Sequence, residues 1–248
     1  MATGPSVPPA LVLPGTRMAR DPERSLRRGP RRTSPEVVAA NQRDRLLDGF
    51  VRTVAQVGYA HTRVSDICQA AGVTRPVFYD LFKGKEDAFL AAHRYGTTMV
   101  IGAMEEAHAK APDWPSAVRA GLGALLGILA DAPAFAVMAI VEIDAVGPAG
   151  WEAREALLTR FRDFFTDLLS IQLPIPTNEL VDTVVGGVYS AIYRRIAADR
   201  IAELPELLPG LTFSVLAPFL GPERAAACLA DVAPSPDPLP TSYLPPDA

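Results

Sequence analysis

Arg63–Lys85, R-V-S-D-I-C-Q-A-A-G-V-T-R-P-V-F-Y-D-L-F-K-G-K, decides the fold. Val64, Ile67, Cys68 and Ala71 recur at three- and four-residue spacing, as do Val77, Phe78, Leu81 and Phe82. Each set therefore lies on one face of a short helix. Gly72 stands where the first helix must end and turn, a place for a residue free to take positive φ. Thr74 is the expected N-cap of the second helix, and Pro76 falls in its first turn, where a missing N–H costs nothing. The pattern is that of a helix-turn-helix. On spacing alone, a helical hairpin that only adds to a core stays open beside it.

The flanks extend the pattern. Arg45-Leu46-Leu47, Gly58-Tyr59, Thr62, Asp66-Ile67, Ala70-Ala71-Gly72-Val73-Thr74, Phe78-Tyr79, Phe82, Lys85-Glu86 and Phe89-Leu90 occur in this order. In these features Leu46–Phe89 resembles the DNA-binding domain of TetR-type (tetracycline-repressor-type) transcriptional regulators. The resemblance implies an all-α chain with an amino-terminal three-helix helix-turn-helix domain and a carboxy-terminal helical ligand-binding and dimerisation domain. It also implies that the start of the third helix faces DNA, through Arg75, Pro76, Val77, Tyr79, Asp80 and Leu81, with Lys85 on the backbone.

Side-chain chemistry fits several of these positions. An arginine such as Arg75 can fork onto guanine O6 and N7. Pro76 and Val77 offer apolar contact to a thymine methyl, and Tyr79 and Lys85, assisted by Lys83, can donate to phosphates. Thr62, Arg63 and Thr74 lie at helix starts, where hydroxyls and free N–H groups suit a phosphate. Arg43 suits a phosphate or an exposed ion pair equally. Two residues depart from the family pattern: Leu81 replaces a common histidine donor, and Asp80 brings a negative charge to the DNA side. Phe78 and Phe82 read as core.

Charge distribution agrees with a polar molecule. The net charge is −4, but residues 1–38 carry +4, residues 39–95 carry +2 and the remainder carries −10. A basic front on an acidic body is expected where one end meets phosphate. Residues 1–37, rich in Pro, Gly, Ser and Arg, read as a disordered basic arm. Its run Arg27-Arg28-Gly29-Pro30-Arg31-Arg32 is either a solvated cluster or a tracker of phosphates and the minor groove. Met18 is an alternative start to Met1.

The domain limits expected are 38–96 for the DNA-binding domain, 97–232 for the ligand-binding and dimerisation domain, and 233–248 for a Pro-rich tail. A first helix is predicted over about 38–57, with Arg43, Asp44, Arg45, Asp48 and Arg52 mostly outside its apolar stripe. A long helix from Lys85 to about Lys110 joins the two domains. Further helices are predicted at 115–130, 133–145, 149–172, 178–200, 204–219 and 222–231, separated by Pro133, Gly147-Pro148, Pro174, Pro176, Pro205 and Gly221-Pro222.

Met104, Trp114, Phe135, Met138, Trp151, Phe161, Phe165 and Tyr189 are candidates for an apolar ligand pocket, each equally readable as plain core. Val181, Val185, Val188, Ile192 and Ile196 form one apolar stripe around Gly186-Gly187, with Leu211 and Val215 on the next helix. By the resemblance these helices pair across a two-fold axis.

No uncharged apolar run reaches ~18 residues. Cys68 and Cys228 are far apart, as expected of reduced thiols in a cytoplasmic protein. There is no G-x-S-x-G, H-E-x-x-H or P-loop, and His61, His93 and His108 lack metal-ligand spacing. Glu142 and Asp144 form a close acidic pair read as a helix-end charge. The expectation is a non-enzymatic, homodimeric repressor without metal or cofactor. Its expected partners are double-stranded DNA and a small apolar effector, with no membrane. The alternative is a helical carrier or sensor whose helix-turn-helix no longer reads DNA.

Overall fold

The computed structural model describes residues 12–18, 34–168 and 176–229, and among these every regular element is helical. The amino-terminal unit is α1 (Pro35–His61), α2 (Val64–Ala71) and α3 (Arg75–Leu81), followed by α4 (Lys85–Ala109). The rest is α5 (Trp114–Asp131), α6 (Pro133–Ala136), α7 (Pro148–Arg162), α8 (Thr177–Ala197), α9 (Leu208–Leu220) and α10 (Pro222–Ala227). The arginine run 27–32, the segment 169–175 and the tail beyond 229 lie outside the described residues.

Helix ends fall where the local chemistry puts them. Ser34 caps α1, accepting the Val37 N–H at 3.4 Å, so the helix starts a few residues before the expected position. α1 breaks at Gly58, where φ is 78° and ψ is 157°. Gly72, at φ 63° and ψ 41°, ends α2 in the left-handed conformation. Thr74 occupies the N-cap position of α3, but its side chain makes no cap hydrogen bond.

α1, α2, α3 and the start of α4 enclose an aromatic core. Phe50 and Tyr59 meet the Phe89 ring edge-on, at centroid separations of 5.9 and 5.2 Å. Phe78 and Phe82 sit beside each other, both buried as expected. Two arginines missed by the periodicity argument tie α1 to the turn: Arg45 donates to the Gly72 carbonyl and Arg52 to that of Ala70. Gly49 lets the helices touch, since a Cβ there would lie 2.8 Å from the Ala71 nitrogen.

α4 runs without a break from this unit into the second one. Phe135 lies so close to Gly96 of α4 that a Cβ would come within 2.1 Å of its ring. Thus α4 and α6 pack nearly backbone to ring.

Several expectations need correction. Residues 12–18, expected in a disordered arm, are folded onto α1. Leu13 is buried, a gain of about 1.5–3 kcal/mol for a fully covered leucine, and the Gly15 N–H donates to Asp48 Oδ1 at 2.7 Å. That bond also explains why Asp48, expected outside the stripe, is only 2 % exposed.

The single helix expected at 133–145 is three pieces: α6, a π turn at Val137–Val141 and a 3-10 turn at Glu142–Val146. Likewise, Pro205 lies in a 3-10 stretch, Ile201–Leu207, that precedes α9. The stripe Val181, Val185, Ile192 and Ile196, with Leu211 and Val215, is buried inside its own chain, and Val188 is half-buried against the core. In this chain that stripe faces the chain's own core rather than outward. The opposite side of α8 is outward: Thr183, Gly186, Gly187, Ser190 and Arg194 are exposed. The reason is general: the more apolar face of an amphipathic helix fills its own core first. No single helix among the described residues is long and apolar enough to cross a membrane.

Candidate nucleic-acid interface and effector cavity

α3 presents one side inward and one outward. Phe78 is fully buried, and Val77 and Leu81 are half-buried. Arg75, Pro76, Tyr79 and Asp80 are exposed, Tyr79 by 52 %. Thr74, Arg63 and Lys83 flank them, also exposed. This surface combines two arginines, a lysine, a phenol and a hydroxyl along one short helix and its approaches. Among the described residues Asp80 has no ion-pair or hydrogen-bond partner. Arg43 belongs at its edge: the guanidinium lies over the Phe82 ring, 4.8 Å from the centroid. That cation–π contact holds it in place, and among the described residues it has no ion pair.

Two expected DNA contacts are used internally instead. Thr62 is only 3 % exposed, and its hydroxyl donates to the Gly58 carbonyl at 2.8 Å. The broken end of α1 leaves carbonyls free, and the nearest hydroxyl takes one. Lys85 donates from Nζ to the Tyr59 carbonyl at 2.8 Å and lies over the Tyr59 ring at 4.1 Å. Burial lowers its pKa from the ordinary value. Here the partly exposed ammonium clamps the end of α1.

The comparisons bear on this unit directly. Residues 46–92 match the family described as bacterial regulatory proteins, tetR family. The helix-turn-helix is a TetR-family DNA-binding domain. The match covers α2, α3, most of α1 and the start of α4, the part of the chain that carries the helix-turn-helix.

The TetR-type fold also extends beyond that domain. The fatty acid degradation regulator FadR from Bacillus halodurans superposes with a TM-score of 0.64 at 17 % identity, covering 76 % of this chain and 97 % of that one. The transcriptional regulator FadR from Bacillus subtilis, solved in complex with stearoyl-CoA, gives 0.63 at 18 % identity, with coverages of 71 % and 97 %. PfmR from Thermus thermophilus gives 0.54 at 20 %, with 71 % and 95 % covered. At these identities the likeness establishes the fold alone. No curated protein matches the chain.

In the second unit a cavity lies between α4, α5, α7, α8 and α9, with about 710 Å³ of unfilled space including its mouth. Of the expected residues, Met104, Phe161, Phe165 and Tyr189 line it. Trp114 packs edge-on against Phe219, Phe135 is wedged against Gly96, and Met138 is fully buried away from the cavity. Trp151 is half exposed, because its position at the start of α7 faces outward.

Sequence reasoning missed much of the remaining wall, including Leu122, Leu125, Ile140, Leu158 and His108, and had placed Val185, Val188, Ile192 and Val215 at a dimer face. Small aliphatic residues on several helices give no local signal of facing empty space.

Polar groups in this wall are few. Tyr189 donates its hydroxyl to the Ile140 carbonyl at 3.0 Å, and burial, with the Asp144 charge second, pushes its pKa up to about 12. It is therefore a neutral donor at ordinary pH. His108 meets Phe164 edge-on, and its Nε2 is buried with no hydrogen-bond partner among the described residues. The acidic pair read as helix-end charges has partners: Glu142 accepts the Tyr59 N–H at 2.7 Å, and Asp144 pairs with Arg154. Among the described residues no cluster of His, Cys, Asp or Glu is placed to hold a metal.

Proposed function

We propose that this chain is a one-component repressor that binds a palindromic operator as a homodimer and is released by a small apolar effector. The observation that carries it is the two-sidedness of α3: Phe78 holds the core while Arg75, Pro76, Tyr79 and Asp80 are free for base edges and phosphates. Arg75 takes the part of base reader, worth about 1–3 kcal/mol of discrimination. Thr74, Tyr79, Lys83, Arg63 and Arg43 fix the register on phosphates. Asp80 is tolerated where it accepts from a cytosine amino group. Thr62 and Lys85 hold the domain rather than the DNA.

A helix-turn-helix reads a palindrome in pairs, with the two reading helices about 34–36 Å apart. The surface offered for pairing is the outward side of α8, where nothing among the described residues lies within 4 Å of a Cβ built on Gly186 or Gly187. Each interior glycine costs a helix about 1 kcal/mol, a cost that close approach of a second helix offsets.

The cavity suits an effector with a long apolar body and one polar atom for Tyr189 or His108. The complex of the Bacillus subtilis protein with stearoyl-CoA makes long acyl compounds the first to try. Such a chain works in the cytoplasm, beside its DNA.

Footprinting on the intergenic DNA around its own gene, with and without stearoyl-CoA, tests this reading. Protection of a palindrome, lost when the acyl compound is added, is expected. Absence of any protected, salt-sensitive site favours instead the carrier whose helix-turn-helix does not read DNA, for which the acidic Asp80 on the outer side of α3 is the best support.

A further inference from the structure

Between the cavity and the reading unit lies one irregular turn. In Val137–Val141 the bond is closed by the Glu142 N–H donating to the Val137 carbonyl, five residues back. Such a π turn holds one residue more than an α turn, and removing the extra residue re-registers whatever follows. On one side Ile140 lines the cavity and its carbonyl accepts the Tyr189 hydroxyl at 3.0 Å. On the other, the Glu142 carboxylate accepts the Tyr59 N–H at 2.7 Å.

Tyr59 follows the break of α1 at Gly58 and is the hub of that joint. Lys85 bonds its carbonyl, Phe89 packs on its ring, and Thr62 donates from hydroxyl and backbone to Gly58. Two residues after Thr62, α2 begins. One carboxylate from the second unit thus pins the joint from which the helix-turn-helix departs.

We propose that the π turn couples the cavity to the reading unit, with Tyr189 as its sensing hydroxyl and Glu142 as the residue that positions the end of α1. Its biological use rests on the effector-released repressor reading; its geometry does not. A ligand acceptor that takes the Tyr189 hydroxyl leaves the Ile140 carbonyl unpaired in apolar surroundings. A buried carbonyl in that state is driven to find an N–H, and the turn supplies one by returning to ordinary helical spacing. The Glu142 N–H then moves from the Val137 to the Met138 carbonyl. Glu142 swings by about 100° around the axis, and its bond to Tyr59 ends. The joint at Gly58–Thr62 is released, and α3 moves with it.

The test is amide hydrogen exchange at Tyr59 in the full chain, which needs neither operator nor effector. Glu142→Ala removes the acceptor and is expected to speed Tyr59 exchange about tenfold, the loss of one charge-assisted bond. Glu142→Gln keeps an acceptor oxygen and restores most of the protection. Tyr189→Phe deletes a hydroxyl on the far side of the turn and still speeds Tyr59 exchange, by roughly threefold or more, with the melting temperature nearly unchanged.

Should Glu142→Ala fail to fold, the Gln and Phe variants decide. Tyr59 exchange in Tyr189→Phe equal to that of the unaltered chain would overturn the coupling. The expected exchange pattern in a chain that retains no duplex from a random pool would instead uphold the coupling and reject the DNA-binding reading.

Discussion

Arg45 Nη2 donates to the Gly72 carbonyl at 2.8 Å, binding the middle of α1 to the turn between α2 and α3. The turn needs this bond's geometry and the left-handed φ of 63° together. Gly72→Ala meets both: the backbone conformation costs about 1–2 kcal/mol for a residue with a Cβ, and that Cβ would lie 2.6 Å from Arg45 Nη2. A stability loss of about that size is expected in urea denaturation. Gly72→Asn should lose less, since asparagine tolerates this region. Equal stability of all three would show that the turn does not hold the conformation described.

Lysines on either side of Gly84 should behave differently. Lys83 is exposed, whereas Lys85 is engaged with the carbonyl and ring of Tyr59. Each phosphate neutralised adds about 0.9 to the slope of log affinity against log salt. Lys83→Ala is expected to flatten that slope by about this amount, and Lys85→Met to leave it unchanged while lowering stability. A flattened slope for Lys85→Met would return it to the DNA.

His93 makes stability depend on pH. Burial holds its pKa down at about 4, from the ordinary 6.5, partly opposed by a bond to the Ala139 backbone. Between these values the unfolded chain binds more protons than the folded one, so stability is full above about pH 6.5 and falls as pH drops toward 4. The loss expected between pH 7 and pH 5 from this group is about 2 kcal/mol. His93→Gln should remove that part of the slope. A mutant that loses stability on acidification as steeply as the original chain would place the effect elsewhere.

Much of this was legible beforehand. Proline and glycine fix helix ends through local backbone chemistry, so Gly72, Pro133, Pro148 and Gly221 mark their boundaries wherever the helices pack. Spacing likewise puts Phe78 and Phe82 inside, while the resemblance implies the outward placement of Arg75 and Tyr79. What failed depended on tertiary partners. Thr62 and Lys85 look like phosphate donors until the broken end of α1 supplies them with carbonyls. Asp48 looks like a surface charge until Gly15 arrives from 33 residues away. The apolar stripe of α8 looks like an interface because periodicity identifies a buried face without saying which chain buries it.

That last point gives a prediction of its own. Gly187→Arg puts a long cation on the open side of α8 and leaves the interior stripe untouched. Sedimentation is expected to show a dimer for the unaltered chain and monomers of unchanged helicity for the variant. A dimer that persists in this variant would move the interface to another surface.

The most direct test of the central claim is the binding of Arg75→Ala to a duplex selected from a random pool by the unaltered chain. If the outer side of α3 reads base edges, the variant loses about 1–3 kcal/mol on that duplex. Its preference relaxes at one symmetric pair of positions, while the circular dichroism stays the same. Unchanged affinity and unchanged preference in a folded Arg75→Ala chain would contradict it.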